Sequence, residues 1–179
     1  MRTLLATAAL AALSMVSCNN VEDLREQIES LATNWEKTTA TVLEFVNKLQ
    51  ATQTDLQDQF AKMTIPEGLG LQEEDLENVD NLKEGYQEQL AGLSDLSQTV
   101  NEFVGQWQEK ATMLSQLRDG LAAGSLDIDA SDTLKNLQDA VSDAEGALEE
   151  WQGDMEDIEE NAESIFGEFS ALISNAQGN

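Results

Sequence analysis

Hydrophobic side chains recur at alternating spacings of four and three residues through most of the chain after residue 20. This mean spacing of 3.5 residues predicts α-helices that pack along one face, as in coiled coils. Three positions of the first such stripe are polar: Thr38, Thr52 and Gln59. The stripe itself is Leu24, Ile28, Leu31, Trp35, Thr38, Val42, Phe45, Leu49, Thr52, Leu56, Gln59 and Met63.

Two further segments carry the same spacing. The second includes the polar members Gln89 and Lys110, and the third has no polar member. Pro66 and the glycines after it end the first segment, because proline and glycine break helices. The pattern predicts three helices, over about residues 21–64, 71–122 and 131–176.

Three helices of similar length with short links predict an all-α fold. The arrangement that follows is a long antiparallel up-down-up three-helix bundle with heptad packing, formed by residues 21–179. In plan it is similar to a spectrin-type repeat, by architecture and not by a shared motif. The alternative is an intermolecular coiled coil in which each chain supplies one helix or hairpin.

The three tryptophans are predicted to share one aromatic section of the core. When the helices are aligned about their links, Trp35 and Trp151 reach nearly the same height, and Trp107 lies within a heptad or two. We interpret this section as core packing, with a ligand pocket as the alternative.

The first 17 residues have the pattern of a secretory signal peptide. Arg2 is followed by an apolar run of about thirteen residues, which is too short for a membrane-spanning helix of ~20 residues. The run ends in Met-Val-Ser-Cys, which resembles the lipobox of bacterial lipoproteins, with Met15 in place of the more usual leucine. The resemblance implies that residues 1–17 are removed and that Cys18 carries a diacylglyceryl thioether and becomes the new N-terminus.

The predicted anchor suggests a compartment. Residues 18–20 would form the lipidated cysteine and a short tether before the first helix, as in coiled-coil envelope lipoproteins. Enterobacterial sorting retains lipoproteins with aspartate after the cysteine at the inner membrane, so Asn19 favours the outer membrane in a Gram-negative cell. The alternative is a secreted or periplasmic protein whose lone cysteine lies near its start.

The charge is strongly negative, with 35 acidic and 9 basic residues and a net charge of -26. Such a surface repels nucleic acids and favours a basic protein or divalent cations as partners. It is also typical of proteins adapted to a high-salt habitat. The densest run of acids in the third segment is the candidate partner face. It comprises Glu149, Glu150, Asp154, Glu156, Asp157, Glu159, Glu160 and Glu163.

Catalytic chemistry has few candidates in this sequence. Histidine is absent, and the one cysteine is the predicted lipid site, so we expect neither an enzyme nor a cofactor. Asp127, Asp129 and Ser131 resemble the first half of a Ca²⁺-binding loop. Asp132 and Gln138 then stand where that loop needs glycine and glutamate, so the match is weak. The alternative is the N-cap of the third helix.

Together these features predict a membrane-anchored cell-envelope lipoprotein with a non-catalytic structural, spacer or protein-binding role. The alternative is a helical protein that binds a soluble ligand or partner: a periplasmic chaperone, an inhibitor or immunity-type protein, or a carrier of an apolar ligand.

Overall fold

A computed structural model describes residues 16–126 and 129–177, and these residues form three α-helices and no strand. The helices are α1 (Val16–Lys62), α2 (Glu73–Ala123) and α3 (Ala130–Gln177). Helix α1 begins before the predicted start at residue 21 and includes residues 18–20, which the sequence analysis assigns to the tether. The other five helix bounds differ from the predicted ones by one or two residues.

The first link turns on Gly68. The amide of Leu69 donates to the carbonyl of Pro66 at 3.2 Å, and Gly68 has φ 83°. A turn with positive φ at its third residue requires glycine or asparagine there. Helix α2 then begins with a side-chain cap, in which the amide of Gln72 donates to the Asp75 carboxylate at 3.3 Å.

The second link begins with a Schellman cap at the end of α2. The amide of Ser125 donates to the carbonyl of Gly120 at 2.9 Å, and the amide of Gly124 donates to that of Leu121 at 3.1 Å. Gly124 supplies the left-handed conformation that this cap needs, with φ 64°. These bonds satisfy carbonyls that the end of a helix otherwise leaves unpaired.

The helices pack as a helical bundle, which divides into two compact units. Unit 1 comprises residues Met1–Thr38 and Gln108–Ser142, and unit 2 comprises Thr39–Trp107 and Asp143–Asn179. The largest fully buried side chains of unit 2 come from all three helices and are Val42, Val79, Tyr86, Leu93, Val100, Met155 and, just after α1, Met63. In unit 1, Ile28, Leu117 and Leu137 are buried, one from each helix.

The side chains of the 3.5-residue stripes are buried or half-buried wherever the structure describes them. The polar members follow the same pattern: Thr38 and Thr52 are buried, and Gln59, Gln89 and Lys110 are half-buried. The spacing therefore identified most of the buried positions, including the polar residues Thr38 and Thr52.

Candidate functional site

Cys18 lies within the first turns of α1, two residues after its start at Val16. Its side chain is outside what the structure describes, as are residues 1–15 of the predicted signal peptide. The lipidation site therefore remains a prediction from the sequence. None of the helices among the described residues has a stretch that is both long and apolar enough to cross a membrane.

The weak Ca²⁺ candidate falls at the start of α3. Asp127 lies outside the described residues, while Asp129 immediately precedes the helix and Ser131 is exposed in its first turn. The carbonyl of Asp129 accepts the amide of Thr133 at 2.9 Å, which is the bond of an N-cap residue. In the described part of the chain, no three histidine, cysteine or acidic side chains are grouped to hold a metal ion.

The side chains of the candidate acidic face are exposed along α3, with one exception. Seven of its eight side chains are exposed, and Glu159 is half-buried. The hydroxyl of Thr52, on α1, donates to the Glu159 carboxylate at 2.6 Å. Glu159 therefore takes part in packing between α1 and α3, and the other members face solvent.

A shallow groove in unit 2 brings one acid of α2 beside this face. Asp95 on α2 and Glu150, Asp154 and Asp157 on α3 line a groove of about 580 Å³. None of its described lining residues is lysine or arginine. Its electrostatic character is therefore strongly negative, in agreement with the composition of the whole chain.

A second groove, in unit 1, has a different character. It lies between α1 and α2 and has a volume of about 570 Å³. Its floor includes the buried side chains Ile28, Trp35 and Leu114. Its rim carries Arg25 and Arg118. The remaining charged lining residues are the exposed acids Glu29, Glu36 and Asp119.

These two arginines are not among the functional residues expected from the sequence. A usable signal was present, because the chain has only three arginines and each of these two directly follows a stripe residue, Leu24 or Leu117. A residue beside the stripe lies at the rim of a helix–helix contact. Arginines at two such rims could have been tested for a shared groove.

Aromatic rings connect the helices of unit 2. Phe103 stacks on Trp107 with ring centroids 5.7 Å apart and meets Trp151 edge-on at 5.1 Å, while Phe45 stacks on Trp151 at 5.9 Å. The Trp107 indole donates to the Thr39 hydroxyl at 2.8 Å. Trp107 and Trp151 thus share an aromatic core section, and Trp35 belongs to unit 1.

Tyr86 forms a buried polar contact in unit 2. Its hydroxyl, which has one proton to donate, lies 3.1 Å from the Leu56 carbonyl oxygen and 3.2 Å from the Gln59 side-chain oxygen. The ring is fully buried and stacks on Phe60. Burial raises the pKa of the Tyr86 phenol, because the low-dielectric interior disfavours the phenolate.

Comparisons with models of protein families, with curated proteins and with solved structures gave no match to this chain. The function is therefore argued from the residues and their geometry alone.

Proposed function

We propose that this chain is a membrane-anchored cell-envelope lipoprotein whose helical bundle has a non-catalytic role as a spacer or protein-binding module. The observation that carries the proposal is the Met-Val-Ser-Cys sequence at the end of the apolar run, where the first of three long helices begins. Acyl chains on Cys18 would hold the bundle at the membrane, since two or more chains are needed for stable anchoring. Asn19 favours the outer membrane.

We further propose that the helices run up-down-up. Two pairs of contacts in unit 2 support this direction for α1 and α2. Thr39 meets Trp107, and Phe60, later in α1, meets Tyr86, earlier in α2. In antiparallel helices, residues later in one helix contact residues earlier in the other, as these two pairs do.

The contacts between α1 and α3 support the same topology and heptad packing. Phe45 of α1 contacts Trp151 of α3. Thr52, seven residues after Phe45, contacts Glu159, eight residues after Trp151. Contacts that advance together along both helices are expected of the first and third members of an up-down-up bundle. A spacing of about seven residues between successive contacts is expected of heptad packing.

A non-catalytic role is supported by the residue types that the chain contains. Without histidine, and with its one cysteine assigned to lipid, the chain lacks the commonest general base and a thiol nucleophile. Its partners would be the membrane and, at the acidic face of α3, a basic protein or divalent cations. Affinity for a basic partner would fall as salt concentration rises.

A second candidate function is favoured by the unit 1 groove. A site with an apolar floor and a few charged groups suits a small amphipathic ligand, which makes a ligand carrier the alternative to a pure spacer.

The anchor is tested by comparing Cys18→Ser with Ser17→Ala, which keeps a small residue before the cysteine. We expect Cys18→Ser to move from the membrane to the soluble fraction and to lose fatty-acid labelling, while Ser17→Ala retains both. If wild type takes no label and Cys18→Ser remains in the membrane fraction, the anchor proposal is wrong.

A further inference from the structure

The unit 1 groove combines an apolar floor with charges of both signs at its rim. The side chains of Ile28, Trp35 and Leu114 retain 1 %, 5 % and 6 % of their exposure, so the protein already covers most of this apolar floor. A volume of about 570 Å³ falls within the usual range for small-molecule sites, roughly 300–1,000 Å³. A groove of this volume is of the size that suits a small molecule and not a folded partner.

Both arginines that the structure describes line this groove. The third, Arg2, lies outside the described residues. A guanidinium group presents paired donors that match the oxygens of a phosphate. Arg25 and Arg118 come from different helices, so a phosphate between them would be held from two sides.

The acids of the rim make a purely anionic ligand a poor match. Glu29, Glu36 and Asp119 supply three carboxylates against two guanidinium groups. A headgroup with a phosphate and an ammonium satisfies both signs, because the ammonium pairs with the carboxylates.

The charge of unit 1 also permits such a ligand. Without residues 1–17, unit 1 contains 11 acidic and 5 basic residues, whereas unit 2 contains 24 and 3. A phosphate therefore meets much less repulsion in unit 1 than it does in unit 2.

We propose that this groove binds one membrane phospholipid of the phosphatidylethanolamine type, with an acyl chain over Trp35 and the headgroup between Arg25 and Arg118. The membrane as source rests on the proposed anchor: Cys18 precedes Arg25 by seven residues on the same helix, or about 10 Å along its axis. Lipidation at Cys18 would hold the groove near lipid headgroups.

Binding is measured on the full chain with Cys18→Ser, so that no covalent lipid can occupy the groove. The probe is lysophosphatidylethanolamine with a brominated acyl chain, kept below its micelle concentration, because bromine quenches nearby indoles. We expect saturable quenching of tryptophan fluorescence that Trp35→Phe removes. Absence of quenching, or quenching that persists in Trp35→Phe, overturns the proposal.

Charge variants test the headgroup. We expect Arg25→Gln combined with Arg118→Gln to raise Kd roughly tenfold or more, since bonds between charged groups are the strong ones. Lys135→Gln removes a base of the same unit outside the groove and should leave Kd unchanged. Equal Kd values for the double variant and the control overturn the role of the arginines.

The matching probe with a glycerol headgroup retains the phosphate and lacks the ammonium. We expect it to bind more weakly than the ethanolamine probe, and Glu36→Gln to reduce that difference. Equal binding of the two probes contradicts a zwitterionic site. These measurements use Cys18→Ser, so a negative binding result does not contradict the anchor proposal. Likewise, a negative result for the anchor in cells does not change the affinity measured for the groove.

Discussion

Tyr86 is the only tyrosine of the chain and is fully buried, so its ionisation can be followed without overlap from other phenols. Its phenol is neutral in the folded state, and its hydroxyl reaches the Leu56 carbonyl and Gln59. Burial raises the pKa above the ordinary value of about 10. The neutral form is therefore stabilised by folding, and the phenolate is not.

This raised pKa predicts a loss of stability in alkali. Because the folded pKa lies above the unfolded one, the contribution is complete below pH ~10 and is lost as pH rises through the folded pKa. We expect the free energy of unfolding of wild type to fall more steeply above pH ~10 than that of Tyr86→Phe. Urea denaturation at a series of pH values measures both slopes, and parallel slopes would show that Tyr86 does not cause the loss.

Two glycines are predicted to respond oppositely to alanine. Gly153 is inside α3 with open space where a Cβ would lie, so Gly153→Ala should raise the free energy of unfolding by about 0.5–1 kcal/mol. Gly124 has φ 64°, which L residues disfavour, so Gly124→Ala should lower it by about 1–2 kcal/mol. Denaturant midpoints of the two variants test this, and changes of the same sign would contradict the helix bounds and the Schellman cap.

At the scale of the helices, polar side chains join α1 to its neighbours in unit 2. Thr52 donates to Glu159 on α3, and Thr39 accepts from Trp107 on α2. Because Thr52 is buried, its hydroxyl would lose a hydrogen-bond partner if the helices shifted along each other. These bonds therefore favour one alignment of the helices over its neighbours.

The Thr52 bond predicts a measurable coupling between α1 and α3. Thr52→Val keeps the shape and removes the donor, and we expect a loss of about 1 kcal/mol, because the half-buried Glu159 can turn towards water. Thr54→Val is the matched control, since Thr54 is exposed and bonds only within its own helix. A double-mutant cycle with Glu159→Ala, which removes the acceptor, measures the coupling, and strict additivity would contradict the bond.

The sequence supplied the buried face of each helix but not the alignment between helices. A repeat of 3.5 residues keeps one face inward, so Val42, Leu93 and Met155 could be predicted as core from spacing alone. Which side chains meet across helices depends on axial position and rotation, which the repeat leaves open.

Contacts between helices are what the sequence predicts least well, and the aromatic core section and the unit 1 groove both depend on them. Spacing places Trp35 and Trp151 at nearly the same height, but it does not indicate that Phe45 stacks on Trp151 or that Phe103 meets it edge-on. The groove with Arg25 and Arg118 depends equally on interhelical geometry. Cys18 is the opposite case, because its proposed role is encoded in a contiguous motif that needs no tertiary structure.

For the molecule as a whole, the main electrostatic fact is the uneven distribution of charge between the units. Unit 2 holds 24 of the 35 acidic residues and only 3 bases, so attraction between opposite charges compensates little of the repulsion within it. Repulsion of this kind opposes folding and is weakened by salt, as the Debye length falls from ~10 Å at 0.1 M to ~3 Å at 1 M.

We therefore expect Tm to rise when NaCl is increased from about 0.1 M to about 1 M. Neutralising three exposed acids of α3, with Glu149→Gln, Glu156→Gln and Glu160→Gln, should raise Tm at low salt and reduce the salt response. Thermal unfolding by circular dichroism gives both quantities. A salt response that is unchanged in the triple variant would show that these carboxylates are not the source of the repulsion.

The proposed anchor requires that Cys18 becomes the acylated first residue of the mature protein. Intact mass spectrometry of the protein purified from its native envelope tests this most directly. We expect a chain that begins at Cys18 and carries the added mass of a diacylglyceryl group, with or without a further acyl chain. A chain that still begins at Met1, or a mature chain with an unmodified thiol at Cys18, would contradict it.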